Sequence, residues 1–416
     1  LKILKGETYK NRLLIDYIRD PASIRHSCYN LWTYAEQDQL KHFHYAAQKL
    51  PAAADYVLDV ILDNYPKLDI PYHGRWRHFE SAGINRIQIL EQNVEGTEFI
   101  RSAIELTIIS ILLDAGAGAQ WHYMDHLSET TLAKSEGLAV ASYNLFMRGI
   151  FSSDPDKLYQ ADALGLQNLS LDTLSNGLQV AAKNPIIGLA GRLELLQKLG
   201  RCVQDKDQYF GDSSGPNRLG NIISYWQKQA QNYCLPITAI FNTILDAFSD
   251  IWPGRYTIDG VNLGDVWPHS LNCTDLNPRG FVMFHKLSQW LCYSLIEPLE
   301  TIGIKVTGLD SLTGLPEYRN GGLFVDLSVL TPKDANAFEI THSLGSEFIV
   351  EWRAMTVVLL DKLAAIIRDK LSLTAEQLPL VKVLQGGTWL AGRKIAQKLR
   401  SDGGPPFKLD SDGTLF

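Results

Sequence analysis

The sequence predicts a mainly α fold, a single large helical domain with a small β element. Three observations carry this. Apolar residues recur every third or fourth position through most of the chain, alternating strand patterns are few, and no linker-like break in composition divides it. The domain is therefore expected to run over 1–416, with any division into two lobes falling near the polar stretch 205–217.

In FHKLSQWLCYSLIEPLE, Leu287, Leu291 and Leu295 recur every fourth residue, and Pro298 is expected to end that helix. A longer stripe joins Ile349, Trp352, Met355, Leu359, Leu363 and Ile366, with Glu351, Asp361 and Arg368 off it. Asn184-Pro185 reads as an N-cap followed by proline at the first helical position, with Gly200 as the stop. Residues 30–68, 97–114, 135–149, 171–182, 218–249 and 376–400 also read as helix. The glycines of LLDAGAG, 112–118, resemble a dinucleotide loop only in their number; a helix end breaking into a turn is expected there.

Strand signals are two. Asp259-Gly260, between RYTI and VNLG, predicts a hairpin turn. LFVDLSVL, 323–330, alternates as a buried strand would, with Asp326 on the face of Phe324 and Ser328. Segments 205–217, 252–282 and 308–336 are rich in Gly, Pro and polar residues, and loops of that length are usually functional or mobile. The last two flank the 284–297 helix, so the three pieces are expected to meet around one site.

With 416 residues, 45% of them hydrophobic and 20% charged, the chain can bury a core without metal or disulfide staples. Its 39 basic residues against 46 acidic ones give a net charge of -7, which argues against a nucleic-acid surface. Cys28, Cys202, Cys234, Cys273 and Cys292 are scattered, odd in number and free of any CxxC, which predicts reduced thiols. The apolar stretch from Phe99 to Ala119 is interrupted by Arg101, Glu105 and Asp114, so it is not read as a membrane span. The opening LKILKGETYKNR holds no apolar run of signal-peptide length. A cytoplasmic protein acting on a small molecule is expected, with neither nucleic acid nor membrane as partner.

Four groups of residues carry candidate chemistry. His73-Gly74-Arg75-Trp76-Arg77-His78-Phe79-Glu80 gathers forked guanidiniums, an aromatic wall and a carboxylate, as an anion-recognising loop would; the alternative is a solvated loop anchored by its Trp. His285, Lys286 and Gln289 lie about one turn apart, either as donors aimed at a ligand or as a polar outer face. In TGLPEYRNGG, Glu317 and Arg319 sit among glycines that permit close backbone approach, and Asp326 follows in an apolar run. Such a carboxylate serves as a general base or stabilises a cationic transition state, unless it forms a structural pair with an Arg. His122 and His126, four apart, would share a face of a helix and could bind zinc, though polar packing is the favoured reading.

GRWRHFE, LLDAGAGAQWHY, SEGLAVASYNLF, PEYRNGGLFVDLSVL and the tail GRKIAQKLRSDGGPPFKLDSDGTLF together resemble the uracil-catabolism proteins of fungi and bacteria, formerly a domain of unknown function. The likeness covers nearly the whole chain and implies a place in pyrimidine breakdown, thought to pass through a ribosylated urea. Several segments are also similar to the queuosine salvage proteins, which hydrolyse the N-glycosidic bond of a modified nucleotide. A helix reading YKRAQILVADL in that family is matched by FHKLSQWLCYSLI with Lys286 and Gln289 retained, while its aspartate falls on Ser294 here. Its loop ADYRVPQ is matched by PEYRNGG, so Glu317 takes the carboxylate position and Tyr318-Arg319 are retained. SEGLAVASYNLFMRGIFSSD, which includes Glu136, echoes a third segment. The second resemblance implies a largely helical fold similar to helix-hairpin-helix DNA glycosylases.

The chemistry so implied is cleavage of a C1'–N bond through an oxocarbenium-like sugar, with Glu317 stabilising the cation and orienting water. His285 or Asp326 would protonate the leaving nitrogen. Arg75, Arg77, Lys286 and Arg319 would hold a 5'-phosphate, and Trp76, Trp121 or Tyr318 would wall the leaving group, with His78, Glu136 and Gln289 completing the contacts. The scheme requires no metal or organic cofactor. Its rivals are a zinc-dependent pyrimidine ring-opening amidohydrolase, in which His122, His126 and Asp114 gather round the metal, and a non-catalytic protein that binds a pathway intermediate.

Overall fold

The computed structural model describes residues 2–114, 116–118, 120–211, 215–252 and 255–410, with side chains from residue 8 onward. Ala115 and Ala119 of the LLDAGAGAQWHY motif, 212–214 and 253–254 of two polar loops, and 411–416 of the tail motif lie outside the described residues. The fold is mainly α, and its β structure consists of two-stranded pairs. Among the described residues no helix is long and apolar enough to cross a membrane. The chain forms two compact units, one from 2–73, 255–289 and 308–410, the other from 74–252 and 290–307.

The first unit is built around the 25-residue helix Glu347–Leu371, whose N-terminus is capped by Ser346 accepting from the Ile349 N–H. Ile349, Trp352, Met355, Leu359 and Leu363 are fully buried as the stripe predicts. Burial extends beyond the stripe: Glu351 is also fully buried, accepting the backbone N–H groups of Lys41, His42 and Phe43 at 2.9, 2.8 and 3.0 Å. Those bonds satisfy a loop that interrupts the helix expected over 30–68, which is instead two helices, Pro21–Ala35 and Leu50–Asn64. Between them, Phe43–Tyr45 pairs antiparallel with Leu330–Pro332. The hairpin at Asp259-Gly260 forms as expected, both residues taking positive φ (49° and 78°) between Thr257–Ile258 and Val261–Asn262.

The segment 323–330 is not one strand: it is helical to Asp326, and strand pairing begins only at Leu330. Residues Tyr318–Asp326 form a helix, because Glu317 caps its start and Leu323, Phe324 and Val325 bury inward over a single turn. A short apolar run carries too few residues to separate the two periods. The helix packs against Trp389–Leu399 at very close range, since a Cβ on Gly392 would lie 2.3 Å from the Arg319 carbonyl oxygen. The helical stretch expected over 376–400 is present in three pieces: Leu380–Val383, a π-helical turn Leu384–Thr388, and Trp389–Leu399.

In the second unit the Gly96–Leu112 helix is buried on nearly every face. Its Glu105 accepts from Arg218 Nε at 2.6 Å and from the backbone of Ala161 and Gly220 at 2.9 Å each. The helix ends at Leu112 and the chain turns, as expected for the glycine-containing stretch after it. Asn184 is not a helix cap. Its side-chain amide bonds both the N–H and the carbonyl of His122 (2.8 and 2.9 Å), taking the place of a strand neighbour. The helix begins later, at Leu189 after left-handed Gly188, and Gly200 lies inside it, where a Cβ would come 2.8 Å from the Ala163 carbonyl. The expected 218–249 helix is broken by the strand Cys234–Pro236, paired parallel with Lys305–Thr307. The helix Lys286–Thr301 continues one turn past Pro298 rather than ending at it.

Gly392→Ala is expected to destabilise the protein by about 1–3 kcal/mol, because backbone rather than a flexible side chain meets the new methyl group. Chemical denaturation of the variant measures it; an unchanged midpoint would mean that the two helices separate at no cost.

Candidate functional site

In the first unit the chain entering the Tyr318–Asp326 helix is fixed before it reaches Glu317. Fully buried Gln289 donates to the Phe284 carbonyl (2.9 Å) and Thr313 Oγ1 (3.0 Å) and accepts from the Thr313 N–H (2.7 Å). It thereby ties the start of the Lys286–Thr301 helix to the loop. Asn320 donates to the Leu315 carbonyl at 3.0 Å, closing the loop from the other side.

Glu317 is the N-cap, with Oε2 accepting from the Arg319 N–H at 2.8 Å and Oε1 from the Asn320 N–H at 2.6 Å. Caps are ordinarily the shorter Ser, Thr, Asp or Asn, and a glutamate must fold its extra methylene back to do this. Glu317 keeps part of its surface open to solvent. Burial nevertheless pushes its carboxyl above the usual range, opposed by the Arg319 guanidinium, the two N–H donors and the Lys286 ammonium. A carboxylate held on both oxygens and poorly solvated keeps one orientation and acts strongly on positive charge that develops beside it, while Arg319 and Lys286 favour its ionised form.

Around it, the Arg319 guanidinium lies 4.3 Å from the centroid of the Trp389 ring and 5.5 Å from that of Tyr318. His73 sits against the other residues of this group, its ring 6.1 Å from Trp389 and its Nδ1 3.0 Å from Gln385 Oε1. Thr388 donates to Asn320 Oδ1 at 2.8 Å.

Glu317, Tyr318, Arg319 and Lys286 are thus brought together, and Gln289 braces them. His285 and Asp326 are held elsewhere. His285 takes a left-handed φ of 44°, is buried, and points Nε2 at the Ile18 carbonyl (3.0 Å), with burial lowering its pKa. Beside it, Asp265 bonds the Lys286 N–H and grips Arg353 with both oxygens at 2.9 and 2.7 Å. Burial raises the Asp265 carboxyl, but Arg353 outweighs it and holds the group well below the usual range. Asp326 closes the nine-residue helix that Glu317 opens, about 13 Å along its axis, and forms a two-pronged pair with Arg400 at 2.7 Å on each arm. This is the structural Arg–Asp pair, and it leaves Asp326 at the wrong end of the helix to act beside Glu317.

The second unit holds Arg75, Trp76, Arg77, His78, Trp121 and Glu136. Arg75 is fully buried, donating to Ser110 Oγ (2.7 Å) and to the carbonyls of Ser110 and Ser135 (3.2 Å each), and pairing with Asp114 at 2.9 Å. With most of its fork so engaged, it anchors the short helix Trp76–Phe79 rather than offering a phosphate site. Trp76 donates to Thr107 Oγ1 at 3.0 Å, and Trp121, 1% exposed, donates to the Leu178 carbonyl at 2.9 Å, so both are core side chains. Arg77 bridges Glu80 (2.9 Å) and Glu297 (2.7 Å). His78 packs edge-on against Trp290 at 6.3 Å, and Glu136 lies in the first turn of Lys134–Met147, close enough to act on the charge of Arg75. His122 is on a strand, His122–Asp125, paired with Thr130–Ala133, and His126 lies past its end, so extended chain separates the two residues that a helix would have placed one turn apart. Among the described residues no three His, Cys, Asp or Glu gather as metal ligands.

Sequence reasoning missed Trp389, Thr388, Asn320, Thr313 and Gln385, and read His73 as part of an anion loop. The available signal was QGGTW, 385–389, a glycine pair inside a helical pattern, which usually marks close packing or a local irregularity.

Burial holds the His73 imidazole down at about 4, from an ordinary 6.5. Between those values the unfolded chain binds a proton that the native state refuses, so stability falls as pH falls through that window. The loss is roughly 3 kcal/mol. His73→Asn is expected to flatten this part of the stability–pH curve in denaturant titrations; an equal slope in both proteins would contradict the neutral assignment.

Residues 17–416 match the family described as "Protein of unknown function (DUF1688)". The chain is 41% identical over 404 residues to "Protein urg3" of Schizosaccharomyces pombe, covering 94% of this chain and 96% of that protein. It is 36% identical over 436 aligned positions to "Uracil catabolism protein 4" of Lachancea kluyveri, covering 97% and 99%. The chain therefore belongs to the DUF1688 family.

Proposed function

We propose that the protein acts in uracil catabolism as an N-glycosidase, releasing urea from ribosylurea or its 5-phosphate. The pathway rests on the relatives, one of them named as a uracil catabolism protein. The reaction rests on one observation: a glutamate carboxylate fixed on both oxygens by backbone N–H groups, in surroundings that desolvate it, with Arg319 and Lys286 beside it.

Glu317 stabilises the oxocarbenium-like sugar as the C1'–N bond lengthens and orients the water that adds to C1'. Lys286 and Arg319 supply the positive charge that a 5-phosphate requires, and Tyr318 offers an aromatic wall. The departing urea nitrogen takes up a proton as the bond breaks and the water that adds to C1' gives one up, so the step consumes one water and leaves urea and the free sugar or sugar phosphate. Asp326 is not used as the donor to that nitrogen in this scheme, being paired with Arg400 at the far end of the helix. His285 is directed at a backbone carbonyl and serves to shape the helix start. The ring-opening rival needs His122, His126 and Asp114 around one metal, whereas Asp114 is paired with Arg75, and His122 and His126 are not stacked one helical turn apart because His122 begins an extended strand.

Glu317→Asp separates catalysis from capping. Aspartate is a good N-cap but withdraws the carboxylate by about 1.5 Å, so the melting temperature is expected to hold while urea release falls by about 100-fold. Glu317→Gln removes the charge, with a loss at least as large. Because burial raises the carboxyl, kcat/KM of the parent protein should decline as pH is lowered through a pKa above the ordinary glutamate value. Full turnover in both variants would remove Glu317 from the mechanism.

A further inference from the structure

The geometry points to the π-helical turn Leu384–Thr388, with Trp389 directly after it, as the positioning device for Glu317, an inference that rests on the catalytic role proposed for that residue. The two backbone N–H groups that hold the carboxylate belong to Arg319 and Asn320. The side chains of those same two residues are held by consecutive residues at the end of the turn: Asn320 Oδ1 accepts from Thr388 Oγ1 at 2.8 Å, and the Arg319 guanidinium lies on Trp389 at 4.3 Å.

A π turn carries one residue more per loop than an α-helix and rotates everything after it, and such turns are often found at functional sites. Here the rotation allows Gln385, Thr388 and Trp389 to meet His73, Asn320 and Arg319 respectively. The sequence accommodates it with Gly386 and Gly387; a Cβ on Gly387 would lie 2.6 Å from Val57 Cγ1. Further along, Gly392 lets the same helix approach the Arg319 backbone.

Trp389 is therefore a positioning residue acting through Arg319. Its ring keeps the guanidinium in one place by a cation–π contact, and that charge opposes the effect of burial on Glu317. The other charged groups in the neighbourhood are Lys286 from the Lys286–Thr301 helix, which also acts on Glu317, and Arg393, 5.9 Å from the Trp389 ring. His73 is neutral above about pH 4 and contributes no charge in the working range.

The test is the titration of the Glu317 carboxyl by infrared difference spectroscopy, each protein being compared with its own Glu317→Gln counterpart, together with kcat and KM for urea release. Trp389→Leu is expected to raise the pH at which Glu317 ionises and to shift the acid limb of activity the same way. It should lower kcat by about 10- to 100-fold while KM changes little. Trp389→Phe, which retains an aromatic face, should restore both. Thr388→Val, a smaller change of similar shape, should move the titration in the same direction and provides the reading if the leucine variant does not fold. A Glu317 titration identical to the parent in folded Trp389→Leu and Thr388→Val overturns the inference. Absence of urea release by the parent protein overturns the functional reading instead, and the carboxyl titration still decides whether the π turn positions Glu317.

Discussion

The Glu317 carboxylate, bonded on one oxygen by the Arg319 N–H and on the other by the Asn320 N–H, is the interaction around which the first unit's polar structure is arranged. A glutamate in that position is expensive. Burial disfavours its charged form, and a cap as such contributes only about 1 kcal/mol, which a serine or aspartate would supply without the desolvation. What offsets the cost is local: two charge-assisted hydrogen bonds, a guanidinium and an ammonium. Each of these is in turn fixed by something further out.

Those outer supports come from separated parts of the chain. Gln289 secures Thr313 and hence the loop into the cap, Asp265 secures the start of the helix bearing Lys286, and Thr388 and Trp389 secure Asn320 and Arg319. Asp265 can hold its place because Arg353, on the central helix, binds both its oxygens. The long buried helix Glu347–Leu371 thus serves the site as well as the core, through Arg353 on one side and through the Trp352 indole bonded to the Gly321 carbonyl at 3.1 Å on the other. The proposed bond cleavage would require Glu317 to keep one orientation, which supports of this kind provide, since a displacement of about 1 Å lowers rates by orders of magnitude.

Helices with a long apolar stripe were legible in the sequence because burial and period coincide there, as at Ile349 to Leu363. Their boundaries were not, wherever a side chain does a job other than the one its type suggests. Asn184 before a proline resembles a cap yet substitutes for a strand neighbour of His122, and 323–330 alternates yet its first half, to Asp326, belongs to a helix because the cap lies six residues upstream at Glu317. Glu317, Tyr318, Arg319 and Lys286 were singled out from the loop's chemistry and the resemblance to glycosidases, and the fold brings them together. Asp326 was selected as a carboxylate in an apolar run, but its partner Arg400 lies 74 residues on, a pairing that no local pattern reveals. Trp389 and Thr388 were passed over for a similar reason: their importance comes from a π turn that rotates them, and hydrophobic periodicity carries no mark of one extra residue except the two glycines.

The measurement that bears most directly on the central claim is to follow ribosylurea, and ribosylurea 5-phosphate, carrying carbon-13 in the urea group, by NMR during incubation with the protein. Cleavage of the C1'–N bond predicts that the label appears as intact urea, with one free sugar or sugar phosphate released for each. Label appearing as bicarbonate would show attack on the urea carbonyl and contradict the glycosidase account. Substrates that remain whole while raising the protein's melting temperature would contradict it as well, in favour of a binding role.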